Sequence, residues 1–167
     1  MTRPSCLSDL TADIVADASI VINLSATGRC ETIIDALPNR VFVIDTVEQE
    51  LEYGRARGRT DAEVLSNVKA AGRVSIVGLD GTALDQFRTL VEGPAAQTLD
   101  DGEAATIAYA AVNGAIPLID ERKANHMYAQ RFPTLPRGAT VDLLAHPAVM
   151  GVLGIEGHRE AVFNALY

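Results

Sequence analysis

The sequence predicts an α/β fold: three α/β/α layers around a short central, mainly parallel sheet. Two patterns carry that expectation. Four short, largely β-branched apolar segments recur along the chain, separated by stretches with helical starts and stops. Such segments lack the polar alternation of a half-exposed strand, as in a parallel sheet covered on both faces. The size agrees, because 167 residues that are 48% hydrophobic suit one domain, 1–167, with a real core. At 5% aromatic content that core must be aliphatic and rich in alanine.

IVADASIVINL, residues 14–24, reads as a buried strand that breaks near Asp17 and passes into a helix. CETIIDAL (30–37) is a short amphipathic helix stopped by Pro38 and Asn39, and VFVI (41–44) is the second strand. A helix runs from Thr46 to about Arg57, with Thr46 and Gln49 spaced as a capping box. Punctuation at 58–60 separates it from a helix over 61–72 that ends at Gly72. VSIVGL (74–79) is the third strand, followed by a helix over 82–93 closed by Gly93-Pro94. A helix from Asp101 to Val112 stops at Asn113-Gly114, and PLID (117–120) is the fourth strand. Residues 121–132 are helical up to Pro133, and 141–154 and 157–167 read as two further helical pieces.

Fourteen Lys and Arg against 22 Asp and Glu leave a net charge of −8, so no broad basic face advertises nonspecific capture of nucleic acid. A cation or a basic partner is easier to reconcile with that charge. Cys6 and Cys30 are too few for a disulfide framework and read as free thiols of a reducing compartment. No apolar window is long enough to span a membrane, and the N-terminus lacks a signal core. The expectation is a cytoplasmic protein without a membrane segment.

In an open parallel sheet, functional groups gather beyond the carboxyl ends of the strands. Asp17 and Asp120 each end an apolar strand, although either could be a cap or turn residue. Glu50 lies three residues after Val47 and one before Leu51, nearer the buried side of its helix than Glu48 or Glu52. LDDGEAATIAYA (99–110) crowds three acids into one helix start. Asp100 and Glu103 alone make a capping box, yet the helix that follows is apolar on nearly every face and therefore central. Glu121 beside Asp120 could equally open the next helix. Acids that gather at one sheet edge repel one another, and a cation compensates them. Oxygen ligands favour Mg²⁺ or Mn²⁺, and His126, His146 and His158 form no ligand motif.

These motifs resemble the PIN domains. ADASIVINL resembles their opening, an Asp with a small hydroxyl residue two positions on, here Ser19. TVEQELEYGR resembles their second motif, with Glu50 as its acid. LDDGEAATIAYA followed by PLIDERKA resembles a subgroup related to the VapC-like toxin nucleases of toxin–antitoxin pairs, with its Gly-Glu-Ala helix start. The resemblance covers about residues 13–130 in order, and 133–167 is a less well matched helical C-terminal part. The chain departs from the subgroup's doubled acid by having Glu121 second, and Asn125 and His126 stand where an Arg is common.

The resemblance implies a ribonuclease using one or two Mg²⁺ or Mn²⁺ ions. Its catalytic acids fall on Asp17, Glu50, Glu103 and Asp120. Asp17 would be the central ligand, with Glu103 and Asp120 or Glu121 completing the shell and Ser19 supporting it. Glu50 would hold a second ion or orient the attacking water. Arg55, Arg57 and Arg59, just beyond the Glu50 helix, are the first candidates for phosphate contact, and Arg122 and Lys123 the second. The resemblance also implies an antitoxin partner and a homodimer. Three rivals stand beside it. One is a catalytically degenerate PIN-like module that binds RNA or protein. A phosphotransfer protein with Asp17 as nucleophile is disfavoured, because Ser19 stands where its relatives need a second Asp. A dinucleotide-binding protein is weaker still, as no GxGxxG follows the first strand.

Overall fold

The computed structural model describes Leu7 and residues 11–167. Along the chain run β1 (Ile14–Ala16), α1 (Ala18–Ala26), α2 (Cys30–Ala36), β2 (Val41–Ile44), α3 (Asp45–Arg55), α4 (Asp61–Ala70) and β3 (Val74–Val77). They continue with α5 (Gly81–Val91), α6 (Asp101–Asn113), β4 (Ile116–Leu118), α7 (Arg122–Arg131), α8 (Thr140–Leu144) and α9 (Pro147–Leu166). The four strands form one wholly parallel sheet in the order β3-β2-β1-β4. The three-layer reading therefore holds, with every pair parallel.

The strand order matters more than the strand count. The chain builds outward from β1 through β2 to β3, then returns to place β4 on the other side of β1. Ile14 pairs with both Val41 and Ile116, and Ala16 with both Val43 and Leu118. The sheet reverses direction between β1 and β4, and the carboxyl ends at such a reversal leave a crevice that ligands use. Gly138 extends the ladder beyond β4: its carbonyl accepts from the Ile119 amide at 2.9 Å and its amide donates to Pro117 at 2.9 Å.

The centre of the molecule is α6. Gly102, Ala104, Ala105, Thr106, Ile107, Ala108 and Ala110 are all buried, as an all-round apolar helix requires. The helix touches β1, β2 and β4 on the sheet and α3, α5 and α7 beside it. The small alanines let it lie close to so many neighbours. It ends where Gly114 adopts φ 67°, a left-handed cap that glycine takes without a Cβ penalty.

Several expected boundaries shift. Helix α3 begins at Asp45, and no side chain caps its Ile44 start. The Thr46–Gln49 capping box is not formed, because Thr46 already lies inside the helix and its amide donates to Asp45 Oδ1 at 2.7 Å. Strands β3 and β4 are shorter than read, so Asp120 stands two residues past the end of β4. The two C-terminal pieces divide elsewhere: His146 caps α9 through its ring Nδ1, and the helix breaks at Gly154, φ 65° and ψ 177°. Cys6 lies outside the described residues. Cys30 is a free thiol, and burial pushes its pKa up to about 12, which makes it inert. Among the described residues no helix is long and apolar enough to cross a membrane.

Ile107 is fully buried on α6 whereas Val112 on the same helix is 42% exposed. Ile107→Ala should lower unfolding stability by about 3 kcal/mol. Val112→Ala should change it by no more than about 0.5 kcal/mol. Urea denaturation of the two variants checks the difference.

Candidate active site

Asp17 follows β1 directly and is 2% exposed. It caps α1: Oδ1 accepts from the Ile20 amide at 3.0 Å and from the Ser19 hydroxyl at 2.7 Å. Its backbone amide donates to Leu118 at the end of β4, which ties the two strand ends together. Both side-chain bonds fall on Oδ1. Oδ2 takes no hydrogen bond from any described residue. A carboxylate oxygen without a donor can accept from an ordered water or meet a cation. Capping by Oδ1 leaves Oδ2 over, and the Ser19 hydroxyl holds Oδ1.

Asp120 is more fully committed. Its Oδ1 accepts from the Thr140 amide at 2.9 Å, and its Oδ2 accepts from Asn23 Nδ2 at 2.7 Å and from the Thr140 hydroxyl at 2.5 Å. Glu121 is the N-cap of α7, with Oε2 accepting from the Ala124 amide at 2.8 Å. The adjacent acids therefore divide the work: Asp120 is held at the sheet edge and Glu121 opens the helix.

The two glutamates come from helices. Asp100 is the N-cap residue of α6, but its side chain makes no cap hydrogen bond, so the expected capping box is not closed. Its backbone amide only favours the charged form of Glu103. Glu50 lies on α3 and is exposed, whereas Glu48, paired with Lys69 at 2.7 Å, is the more covered. The expectation that Glu50 is the most buried acid of α3 is thus corrected: Glu48 is drawn towards α4. Glu50 nevertheless abuts α6. A Cβ on Gly102 would stand 2.6 Å from Glu50 Oε2, so the bare glycine makes the room its carboxylate occupies. Thr46, Gln49, Glu50, Tyr53, Leu99, Asp100, Asp101 and Gly102 line one open cleft between α3 and the start of α6.

The acids feel one another across this edge. Burial, reinforced by the charges of Asp120 and Glu50, pushes Asp17 up to about 6 against the pull of Ser19 and Ile20. Burial, then the charges of Glu121, Asp100 and Asp17, pushes Glu103 up to about 7 despite the Asp100 amide. Glu50 is exposed as a residue, yet its carboxyl end lies against Gly102, and that partial burial, then the charges of Asp100 and Asp101, raises it, with Arg59 opposing. Carboxylates that raise one another call for positive charge, and an all-oxygen donor set suits a hard divalent ion. Among the described residues, no three carboxylate, imidazole or thiol side chains stand close enough to grip an ion as they are. Of the acids, Glu50, Asp100 and Asp101 line the cleft, while Asp17, Glu103, Asp120 and Glu121 are not among its lining residues.

Around the cleft, Arg55, Arg57 and Arg59 are all exposed. Arg55 pairs with Glu52 at 3.7 Å and Arg59 with Asp61 at 2.7 Å. Lys123 donates to the Ala95 carbonyl at 2.8 Å, and Arg122 is exposed. The histidines do structural work: His146 caps α9, His158 contacts the Leu144 carbonyl at 2.8 Å, and His126 meets Gln130 at 3.0 Å. Sequence reasoning missed Asn23 and Thr140, which no motif marks because their partner Asp120 is remote in the chain.

A family model described as a PIN domain (DUF3368) matches residues 13–146. No curated protein and no solved structure matches.

Asp17 binds its proton more tightly folded than unfolded, since its pKa rises from 3.8 to about 6. Its favourable contribution is complete below the unfolded value and is lost as pH climbs through about 6. In chelator at pH 8, Asp17→Asn should therefore be more stable than the parent by about 2 kcal/mol. Below pH 4 the gap should close. Denaturant titrations at both pH values measure it.

Proposed function

Because the chain belongs to the PIN-domain family, a family of nucleases, we propose that it is a metal-dependent endoribonuclease that hydrolyses RNA phosphodiester bonds. The observation that carries the reading is the strand order. It supports the reading because β1 and β4 are neighbours, so Asp17 and Asp120 follow adjacent strand ends, and the charges of Asp120 and Glu50 act on Asp17 as that of Asp17 acts on Glu103. Asp17 is a buried residue and takes both its side-chain hydrogen bonds on Oδ1, so Oδ2 would be the central ligand for Mg²⁺ or Mn²⁺. Glu103, Asp120 and Glu121 would complete the set directly or through waters, and Glu50 would take a second ion or orient water. A bound ion would supply a water of lowered pKa and offset charge on the phosphate.

The residues themselves have separable tasks. The Ser19 hydroxyl and Ile20 amide fix the Asp17 carboxylate. Arg57 and Arg122, exposed and without an ion-pair partner among the described residues, are free to meet phosphates, with Arg55, Arg59 and Lys123 beside them. In the reaction water adds to phosphorus, the bond to the leaving oxygen breaks, and that oxygen takes a proton. A role for Asp17 as covalent nucleophile is disfavoured, since a 2% exposed helix cap is poorly placed to attack. The net charge of −8 supports a selective substrate or a basic protein partner. An antitoxin is the partner this reading adds, with a homodimer as the assembly.

A second reading is a catalytically degenerate module that binds RNA or protein. It is favoured by the acids not standing in a finished ligand set. Catalysis separates the two. A screen of single-stranded and structured RNAs, tRNA included, should show cleavage that needs Mg²⁺ or Mn²⁺ and stops in chelator. Asp17→Asn should lower the rate at least ~10²-fold. No cleavage by the metal-loaded protein across that screen would leave only the binding module.

Gly102→Ala offers a second check. Alanine improves helix propensity by about 1 kcal/mol, so the fold should survive. The new methyl meets Glu50 Oε2 and must push it aside. Thermal unfolding should stay level or rise while cleavage falls, and equal activity would place Glu50 outside the chemistry.

A further inference from the structure

Resting on the reading of the acids at the β1–β4 edge as a metal centre, we propose that Asn23 and Thr140 are positioning residues that clamp Asp120 and leave it one acceptor site for the ion or its water. The hydrogen bonds define the clamp. Thr140 offers both its backbone amide, to Oδ1, and its hydroxyl, to Oδ2. Asn23 Nδ2 donates to Oδ2 at 2.7 Å and contacts the Thr140 hydroxyl oxygen at 3.3 Å, so the three side chains form one network. Each carboxylate oxygen has two lone pairs. Oδ2 has spent both, and Oδ1 has spent one. A single site remains, and it is on Oδ1, which makes Asp120 a one-point ligand held in a fixed orientation.

Helix anchoring is the competing explanation for these bonds, and it falls short. Asp142 Oδ2 already ties the start of α8 by accepting from the Ala139 amide at 2.9 Å, and anchoring accounts at most for the Thr140 amide bond, leaving the Thr140 hydroxyl and Asn23 bonds to Asp120 without a purpose in the helix. Thr140 is fully buried, and Gly138 on the edge of β4 sets its place. Asn23 comes from α1, which Asp17 itself caps. The clamp therefore joins the helix behind the first acid, the strand edge behind the fourth, and the C-terminal part of the chain. Residues that orient metal ligands in this way typically set metal affinity by 10–100-fold. On this account 138–144 belongs to the site, although it contributes no acid to the ligand set.

Calorimetric titration of the full chain with Mn²⁺ alone tests the proposal, with unfolding in chelator confirming that each variant folds. Thr140→Val keeps the shape and the backbone bond but removes the hydroxyl. It should weaken Mn²⁺ binding at least ~10-fold. Thr140→Ser restores the hydroxyl and should bind within about twofold of the parent, given that serine keeps the same donor. Asn23→Ala, at a half-covered position, should weaken binding by a similar factor to Thr140→Val and carries the test should that variant misfold. Parent-like Mn²⁺ affinity in the folded variants overturns the clamp, and so does a Thr140→Ser loss as deep as that of Thr140→Val. Those failures leave the nuclease reading intact. A parent chain that binds no Mn²⁺ brings down the metal-centre reading, and the clamp with it.

Discussion

A carboxylate buried at the end of a central strand is unfavourable unless something offsets its charge, and Asp17 is such a group. Its neighbours make matters worse, because Asp120 and Glu50 repel it across the same edge. The chain supplies partial relief through the Ser19 hydroxyl and the first turn of α1. Much of the surrounding structure can be understood from this constraint. Core packing does not require acids to converge at a sheet edge. A fold that nevertheless brings them there keeps a local instability that a cation can remove. The raised pKa values of Asp17 and Glu103 mark that local instability.

Secondary structure and site chemistry use the same atoms. Asp17 caps α1 while presenting its second oxygen, and Glu121 caps α7 with one oxygen only. Gly102 serves α6 poorly as a helix former and serves Glu50 well, since any larger residue would occupy the space its carboxylate takes. The start of α6 thereby becomes a meeting point: Glu103 comes from its own first turn and Glu50 across from α3. Burial comes first in holding both glutamates above their ordinary range, with the charge of Asp100 adding to it at both and that of Asp101 at Glu50.

The C-terminal part, which shows little motif, supports the site from behind. Gly138 lengthens the sheet edge by one ladder step and delivers Thr140 to Asp120. Helix α9 then covers α1 and α2. Pairing through backbone amides makes few demands on side-chain identity, which is why such a segment carries structural weight with so little sequence signature.

Short-range relations were legible from the chain alone. The alternation of β-branched runs with helical segments determined the α/β class. Asp17 and Ser19 sit two residues apart, so their hydrogen bond follows from local turn geometry. The glycine stop after α6 and its all-apolar character are likewise properties of one segment. Features that the chain alone misplaces or leaves open are those where neighbouring residues compete for one role: the spacing sets Thr46 at the helix start that Asp45 takes, and it leaves the cap of α7 between Asp120 and Glu121. Only the tertiary structure decided these contests. It alone brought Asn23 to Asp120 across 97 positions, set Glu50 against Gly102, and ordered the strands so that β1 and β4 lie side by side. The reason is physical: periodicity and capping report on backbone within a few residues, whereas a shared carboxylate environment arises from packing between segments that carry no record of one another.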